Sequence, residues 1–569
     1  MKKNVKRWIS IALLIAMAVA LVACGSAQNG NTSSPSSGNN SNSSGNNTGS
    51  SGNASGSSGN TSVLSSAILP INKIKSVDMS NVVSSKDTLV WGQTLDPGSL
   101  NMYKSFPTIY ASASYNVTER CAIYDDSLNV YPHLAEKWWF SDDEMKFYVK
   151  MREGVQFSNG KEMTAEDAMA SLPWLFDSTH RSDYPDICDI STLKAEDKYT
   201  WSIELTRKCL YLEQMLTKLV VFDKDQVERD GDQLGVSDII GTGPYVVDEY
   251  VRDVHIVLVK NTNYWDKDYQ PKLEKIIVRF IPEASVGLVE MENGNLDFFF
   301  NPTSVEVTDV LNNPRDNMEV FMSENIQDSM LCCNTQGVLG DLRLRQALAY
   351  GMNKEAIHLA VYNGIGEVAY SNIRENEERF EPKLKDYYTY DVNKAKELLA
   401  DAGYANGLTL KMICSTAAVD TAISEMLLNQ FNDIGITLQI EYTDNTSAAT
   451  KMQNTLDYDL AILTSAHAEE FGPSQHYNPT TAEPLGGINK TKIKYLPEAE
   501  RLTELWNSLS SLTKEERIEA WKEIQLISFG EQCFWVPIHH QPEYYLINSS
   551  LRGVCRFATY QILNYAYFE

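Results

Sequence analysis

The groups able to do chemistry in this 569-residue chain are eight histidines, nine cysteines and a large excess of carboxylates. The histidines are His133, His180, His255, His358, His467, His476, His539 and His540. Only His539 and His540 are neighbours, and adjacent residues of a strand point to opposite faces. A metal centre therefore needs ligands converging from elsewhere, such as His467 with His476. No C-x-x-C pair is present, so zinc-ribbon and thioredoxin-type sites are unsupported. The chain has no H-E-x-x-H and no phosphate-binding P-loop, and Gly241-Thr-Gly-Pro-Tyr245 lacks the third glycine of a dinucleotide fingerprint. No G-x-S-x-G elbow stands where a strand, turn and helix would hold a nucleophile. Acids are too numerous for counting to single out a pair. The missing motifs argue against an enzyme and give no support for a cofactor or a metal.

The elements that would position these groups alternate between strand and helix, which argues for an α/β fold. Strand patterns cover Asp87 to Trp91, Thr200 to Leu205, His255 to Lys260, Lys275 to Ile281, Leu438 to Tyr442 and Tyr458 to Leu463. Several are near-continuous β-branched runs, as in sheets covered on both faces. Helix starts are marked by Thr164-Ala-Glu-Asp167 and Thr513-Lys-Glu-Glu516, which have capping-box spacing, and by Asp341, Asn353 and Asp391. Gly403 has the C′ position of the helix that begins at Val392. Trp138, Trp174, Trp265 and Trp521 read as core. Arg343 and Arg345 lie two apart on a presumed helix, hence on different faces, with one able to salt-bridge to the core. The cysteines beyond Cys24 (Cys121, Cys188, Cys209, Cys332, Cys333, Cys414, Cys533 and Cys555) are scattered and read mainly as small buried apolar groups, with disulfide pairing left open.

The first residues have a different character. Met1-Lys-Lys-Asn-Val-Lys-Arg7 is followed by an apolar run to Ala23, too short to span a bilayer comfortably. Leu21-Val-Ala-Cys24 resembles a bacterial lipobox, which implies cleavage before Cys24 and lipidation of it. Gly25 to Ser62 is almost wholly Gly, Ser, Asn and Thr and cannot bury enough apolar area to fold. As a coil its end-to-end distance is about 34 Å. Residues 1–23 thus read as a signal peptide and residues 24–75 as lipidated cysteine and linker, a tether at the outer face of the membrane. The rest, about 505 residues, suffices for two or three domains with real cores. The formal net charge of −26 becomes four units more negative once the cations of the leader are removed. Such a surface repels nucleic acid and anionic lipid and draws cations by steering.

Eight segments then carry a family resemblance. Leu89-Val-Trp-Gly-Gln-Thr-Leu-Asp-Pro-Gly-Ser-Leu100 resembles an opening strand followed by E-P-x-S-L. His133-Leu-Ala-Glu-Lys-Trp138 resembles G-L-A-E-S-W. Lys146 to Asp167 is similar to T-F-x-L-R-x-G-V-x-F-x-D-G leading to T-A-x-D-V. Gly241 to Tyr245 and Asn261-Thr-Asn-Tyr-Trp265 resemble G-T-G-P-Y and N-P-x-Y-W. Asp341 to Leu348 resembles D-x-R-V-R-Q-A-L, Tyr390 to Tyr404 resembles Y-D-P-x-K-A-K-x-L-L-x-x-A-G-Y, and Gln532 to Ile538 resembles a late A-P-x-x-P-L strand. In this order they resemble the bacterial extracellular solute-binding proteins of family 5, the oligopeptide/dipeptide-binding receptors of ABC importers.

The resemblance implies a two-lobed periplasmic-binding-protein-like fold with an extra domain in the first lobe (cluster C type). Lobe I would comprise residues 76–115, 231–330 and 549–569, the additional domain residues 116–230 and lobe II residues 331–548. The chain would cross between lobes near Met330–Cys333 and Asn548–Leu551. The implied function is capture of peptides in the interlobe cleft by a monomeric lipoprotein and delivery to an ABC permease. It would sit outside the cell membrane of a Gram-positive envelope, or on the periplasmic side of a Gram-negative one. Asp457 to Pro473 matches the family's D-Y-D-M-x-x-x-x-W-x-A-D-Y-x-D-P only at Tyr458-Asp459. The Trp is missing, and the amine-binding Asp falls near Ala468 or Glu469, with Glu470 the second candidate. Asp96, Gly98 and Asn334 align with cleft positions, and His467 lies beside the acids. Asp96-Pro-Gly98 also reads as a simple turn, and Asn334 as a hinge hydrogen bond. The alternatives are the same fold holding an oligosaccharide, metal chelate or other solute, a sensor or adhesion lipoprotein, and an extracellular hydrolase.

Overall fold

An eleven-stranded mixed sheet organises the computed structural model, which describes residues 68–70, 79, 82–105, 111–124, 129–177, 184–467, 496, 498–557 and 560–569. Its strands are β1 (Thr88–Gln93), β2 (Tyr245–Val251), β3 (His255–Lys260), β4 (Lys275–Phe280), β5 (Phe298–Phe300), β6 (Met318–Cys333), β7 (Glu367–Val368), β8 (Leu408–Ser415), β9 (Ile436–Thr443), β10 (Leu460–His467) and β11 (Trp535–Asn548). They run in the order β9-β8-β10-β6-β11-β5-β1-β4-β3-β2, and β7 pairs with β11. The sheet is parallel where β1 meets β4 and β5 and where β8 meets β9 and β10, and antiparallel around β6 and β11.

The apolar runs sit where the sequence puts them. Thr200–Leu205 and β3 have the expected ends, while Leu438 to Tyr442 lengthens into β9. The strand expected from Tyr458 begins two residues later. Tyr458 turns inward and its hydroxyl donates to the Met452 carbonyl, while Asp459 Oδ2 accepts from the Lys411 N–H at 2.8 Å. Both residues are anchors ahead of the ladder.

Two long strands, β6 and β11, cross the middle of the sheet. Pro537 and Pro542 argue against a central strand in the sequence, because proline cannot donate to a ladder. Both lie beside irregularities in the β6–β11 pairing, one between Ser329 and Met330 and one between Met322 and Ile326. The bulges admit the prolines and kink the strands.

The helices start at the marked caps. Asp167 Oδ2 accepts from the Thr164 N–H at 2.8 Å ahead of α1 (Ala165–Asp177). Asp341 caps α2 (Leu342–Gly351), Asn353 caps α3 (Lys354–Tyr362), and Asp391 caps α4 (Val392–Asp401), with Gly403 at φ +93°. Helix α5 spans Ala418–Ile434 and α6 Glu498–Ser508. Thr513 and Glu516 form a full capping box at α7 (Lys514–Gln525), and Leu526–Glu531 continues it as a π-turn. No described helix is long and apolar enough to cross a membrane.

Cores change along the long strands. Leu331, Val536 and Ile538 pack with α2 to α5, whereas Tyr545 and Ile547 pack with Trp91, Ile276 and Phe298. A separate four-stranded antiparallel sheet (Ala135–Phe140, Lys146–Met151, Thr200–Leu205 and Cys188–Ala195) shares a core with Trp506, Trp521 and Trp535. Two loops join these parts: the Leu210 N–H donates to the Ser510 carbonyl at 2.9 Å, and the Arg517 guanidinium lies over the Tyr211 ring. The eight cysteines beyond Cys24 are buried and unbridged.

Candidate functional site

Buried polar side chains collect at the middle of β6 and β11, where the core changes. Such groups are rarely buried unless they are bonded. Asp328, 1% exposed, accepts from or donates to His540 (Oδ1 to Nδ1, 2.6 Å). Burial pushes the Asp328 carboxyl up to about 6 against the attraction of His540. On the opposite face of β11, His539 stacks on Tyr362 at 3.6 Å, and its Nε2 lies 3.0 Å from His358 Nδ1. Burial, then repulsion from the two neighbouring histidines, pulls His539 down to about 3. The Tyr362 hydroxyl donates to Ser329 Oγ, which meets Thr464 Oγ1, and Thr464 donates to Asp420 Oδ1 at 2.7 Å.

Glu543 lies between Pro542, paired with Ile326, and Tyr544, paired with Met322, so it faces the break in β6. It is 1% exposed. Oε2 accepts from the Tyr545 hydroxyl at 2.8 Å, and that hydroxyl accepts from Gln561, whose amide oxygen accepts from Ser112. Burial raises the Glu543 carboxyl to about 8. Among the described residues no donor reaches its Oε1, and the Tyr544 hydroxyl has no partner. An open groove of about 520 Å³ is built elsewhere, by α2, the turn Pro382–Asp386 and the π-turn. The hydroxyls of Tyr350 and Tyr388 there already donate to backbone carbonyls.

The residues expected from the sequence fall in three places. Asp96 accepts from the Gly98 N–H and the Asp253 N–H, both at 2.7 Å, and from the Tyr250 hydroxyl. It closes the Asp96-Pro-Gly98 turn and ties it to the β2–β3 hairpin, and Gly98 supplies the required φ of +72°. Asn334, at the end of β6, donates from Nδ2 to the Tyr458 carbonyl at 2.8 Å and accepts from the Gln336 N–H. Asp96 and Asn334 thus have protein partners. His467 ends β10, where its backbone pairs with Ile326 beside the break in β6. Cys24, Glu469 and Glu470 lie outside the described residues. Among the described residues no three His, Cys, Asp or Glu side chains gather as a metal site.

The sequence profile described as "Bacterial extracellular solute-binding proteins, family 5 Middle" matches residues 129–482, more than half of the chain. The chain belongs to this family. Its members are binding proteins of ABC importers that act outside the cytoplasm, not enzymes. Heme-binding protein A of Haemophilus influenzae is 23% identical over 482 residues, covering 78% of this chain and 85% of that protein. Di/tripeptide-binding protein 1 of Pseudomonas aeruginosa is 27% identical over 366 residues, covering 58% and 67%. The periplasmic binding protein DppA of Helicobacter pylori, solved with the peptide STSA, superposes with a TM-score of 0.73 at 20% identity, covering 85% of this chain and 99% of that one. The fold is the two-lobed α/β fold of periplasmic binding proteins.

The family-5 motifs acquire a structural meaning around one residue that sequence reasoning missed, Glu119. Tyr264 donates to Oε1 at 2.9 Å, Trp265 Nε1 and Thr242 donate to Oε2, and His133 Nε2 lies 3.1 Å from Oε1. These four partners come from the N-x-x-Y-W, G-T-G-P-Y and L-A-E motifs. Desolvation works to raise the Glu119 pKa. The attraction of His133 and the hydrogen bonds from His133, Trp265 and Thr242 outweigh it and hold the carboxyl below the ordinary glutamate value. Gly241 and Gly243 let the segment leading into β2 approach the backbone beneath: a Cβ on Gly241 would meet the Val117 carbonyl oxygen at 1.9 Å. The signal was the Thr-Glu-Arg run at 118–120, which carries no motif of its own.

Proposed function

We propose that this family-5 protein captures peptides between two hinged lobes and delivers them intact to an ABC permease at the outer face of the membrane. Lobe I is assigned residues 76–115, 231–330 and 549–569, the additional domain residues 116–230, and lobe II residues 331–548. The hinge is assigned to the middle of β6 and β11, a few residues inside those limits. The carrying observation is the polar, incompletely bonded crossing of these two strands, placed where the core changes. Each lobe then supplies part of the ligand contacts, and only the closed form makes all of them. Cargo shifts the open–closed balance by its differential affinity for the two states, and the importer reads the closed form.

The peptide reading is supported by the di/tripeptide-binding relative and the peptide-bound structural neighbour. It is supported also by the position of β10, which ends beside the break at the crossing. Glu469 and Glu470, directly after it, are assigned to the peptide α-amine. Asp96, Gly98 and Asn334 are assigned to shaping the cleft walls. Lipid on Cys24 and the Gly/Ser/Asn-rich segment after it tether the protein, at about 0.8 kcal/mol per buried CH₂ of acyl chain. The long leash suits a Gram-positive envelope.

A second reading keeps the fold and exchanges the cargo for a non-peptide solute. The heme-named relative and the missing Trp in Asp457 to Pro473 favour it. Native mass spectrometry of the gently purified protein separates the two. A ladder of peptide masses supports the first reading, and one sugar, chelate or porphyrin mass overturns it. With a free-amine peptide, Glu469→Gln weakens binding at least tenfold, about 1.4 kcal/mol. Unchanged affinity would remove Glu469 from the site.

A further inference from the structure

We propose that Glu543 is a binding residue for a cationic group of the cargo, an ammonium or guanidinium, held at the floor of the cleft. This rests on the interlobe cleft proposed above and names a residue and a cargo chemistry that the cleft reading leaves open.

The position comes first. Glu543 sits on β11 opposite the interval between Met322 and Ile326, where the strands lose register. That interval lies where the core of one half of the sheet gives way to the core of the other. The bonded partners Tyr545, Gln561 and Ser112 lie on the lobe I side of that change, so Glu543 stands at the edge of lobe I beside the crossing.

The bonding is incomplete. One oxygen accepts from Tyr545, and no donor among the described residues serves the other, although the side chain is almost wholly buried. Leaving a buried carboxylate oxygen unbonded incurs its full desolvation penalty. Arg556 acts on Glu543 only from beyond ion-pair distance, and burial dominates. Burial holds the unliganded group as the neutral acid near pH 7, and a guanidinium or ammonium brought to the open oxygen supplies the charge and N–H donors that let it ionise, its proton passing to solvent. The overall charge of −26 favours cation encounter.

The test uses full-length protein and tripeptides in which each position in turn carries arginine or its uncharged isostere citrulline. Wild type is expected to hold the arginine form at least tenfold more tightly at one position. Glu543→Gln should reduce that preference below about threefold while citrulline peptides bind as before, which also reports a folded variant. A crystal structure of the wild-type complex with the preferred arginine peptide should place the guanidinium within ion-pair distance of Glu543 Oε1. Peptide binding without an arginine preference overturns the inference and leaves the peptide cleft standing, as does a preference that survives Glu543→Gln or a guanidinium bound elsewhere. If neither peptide series binds and scattering shows no closure, the peptide cleft itself fails and the inference falls with it.

Discussion

Glu119 and His539 are two buried ionisable side chains, one held charged and the other neutral, and the contribution of each is lost on acidification. Glu119 is held charged by four partners, and its folded pKa lies below the ordinary value of 4.5. Its contribution is therefore complete above that value and lost as pH falls through the depressed one. Glu119→Gln is expected to lower stability by about 2–4 kcal/mol at pH 7, read from urea unfolding, with the deficit shrinking below pH 4.5. His539 is held neutral, pulled from 6.5 to about 3. The unfolded chain takes up a proton below 6.5 that the folded protein refuses, so stability falls on acidification between those two values. The expected slope is about 1.4 kcal/mol per pH unit. His539→Phe should remove that slope, and a variant with the wild-type profile between pH 6 and 4 would count against the assignment. Neither role was legible in the sequence. His539 and His540 were placed correctly on opposite faces by strand periodicity alone, but their partners, Tyr362 and Asp328, come from distant segments. Arg343 and Arg345 repeat the lesson. Their separation on the helix was readable, yet it is the exposed Arg343 that makes the ion pair, with Asp341, and the buried Arg345 that donates to the carbonyls of Leu339 and Gln532.

At the scale of elements, legibility followed locality. Caps are local chemistry, and Asp341, Asn353, Asp391 and Thr513 all sit at the helix starts their types imply. Thr513→Ala is expected to cost about 1 kcal/mol, measured as a shift in urea midpoint. The long strands were not legible. Polar residues interrupt β6 and two prolines interrupt β11, and only the pairing of one with the other makes strands of them. Close approach is equally non-local. Gly241 opens the G-T-G-P-Y motif, yet its φ is not left-handed. Its need for glycine comes from the Val117 carbonyl against which it packs. Gly241→Ala must push that backbone aside, and a loss of about 3 kcal/mol or more follows. A loss under about 1 kcal/mol would mean that the segment yields easily.

For the whole molecule, the two-lobed fold was readable because many weak motifs appear in order over nearly the whole globular part. The segment proposed to hold the cargo, Asp457 to Pro473, was less readable, because it departs from the family pattern. On the proposed boundaries the contact of Leu210 and Tyr211 with Ser510 and Arg517 joins the additional domain to lobe II. It therefore forms only when the lobes are together. Tyr211→Ala should raise the cargo Kd by about three- to tenfold, corresponding to the roughly 0.5–2 kcal/mol of a cation–π contact, without altering cargo preference. The central claim, a clasp that closes on an intact solute, is tested most directly by small-angle scattering of the purified protein with and without the cargo that native mass spectrometry identifies. The account predicts a smaller radius of gyration on binding and recovery of the cargo chemically unchanged. An unaltered scattering profile at saturating cargo, or cargo returned cleaved, would contradict it.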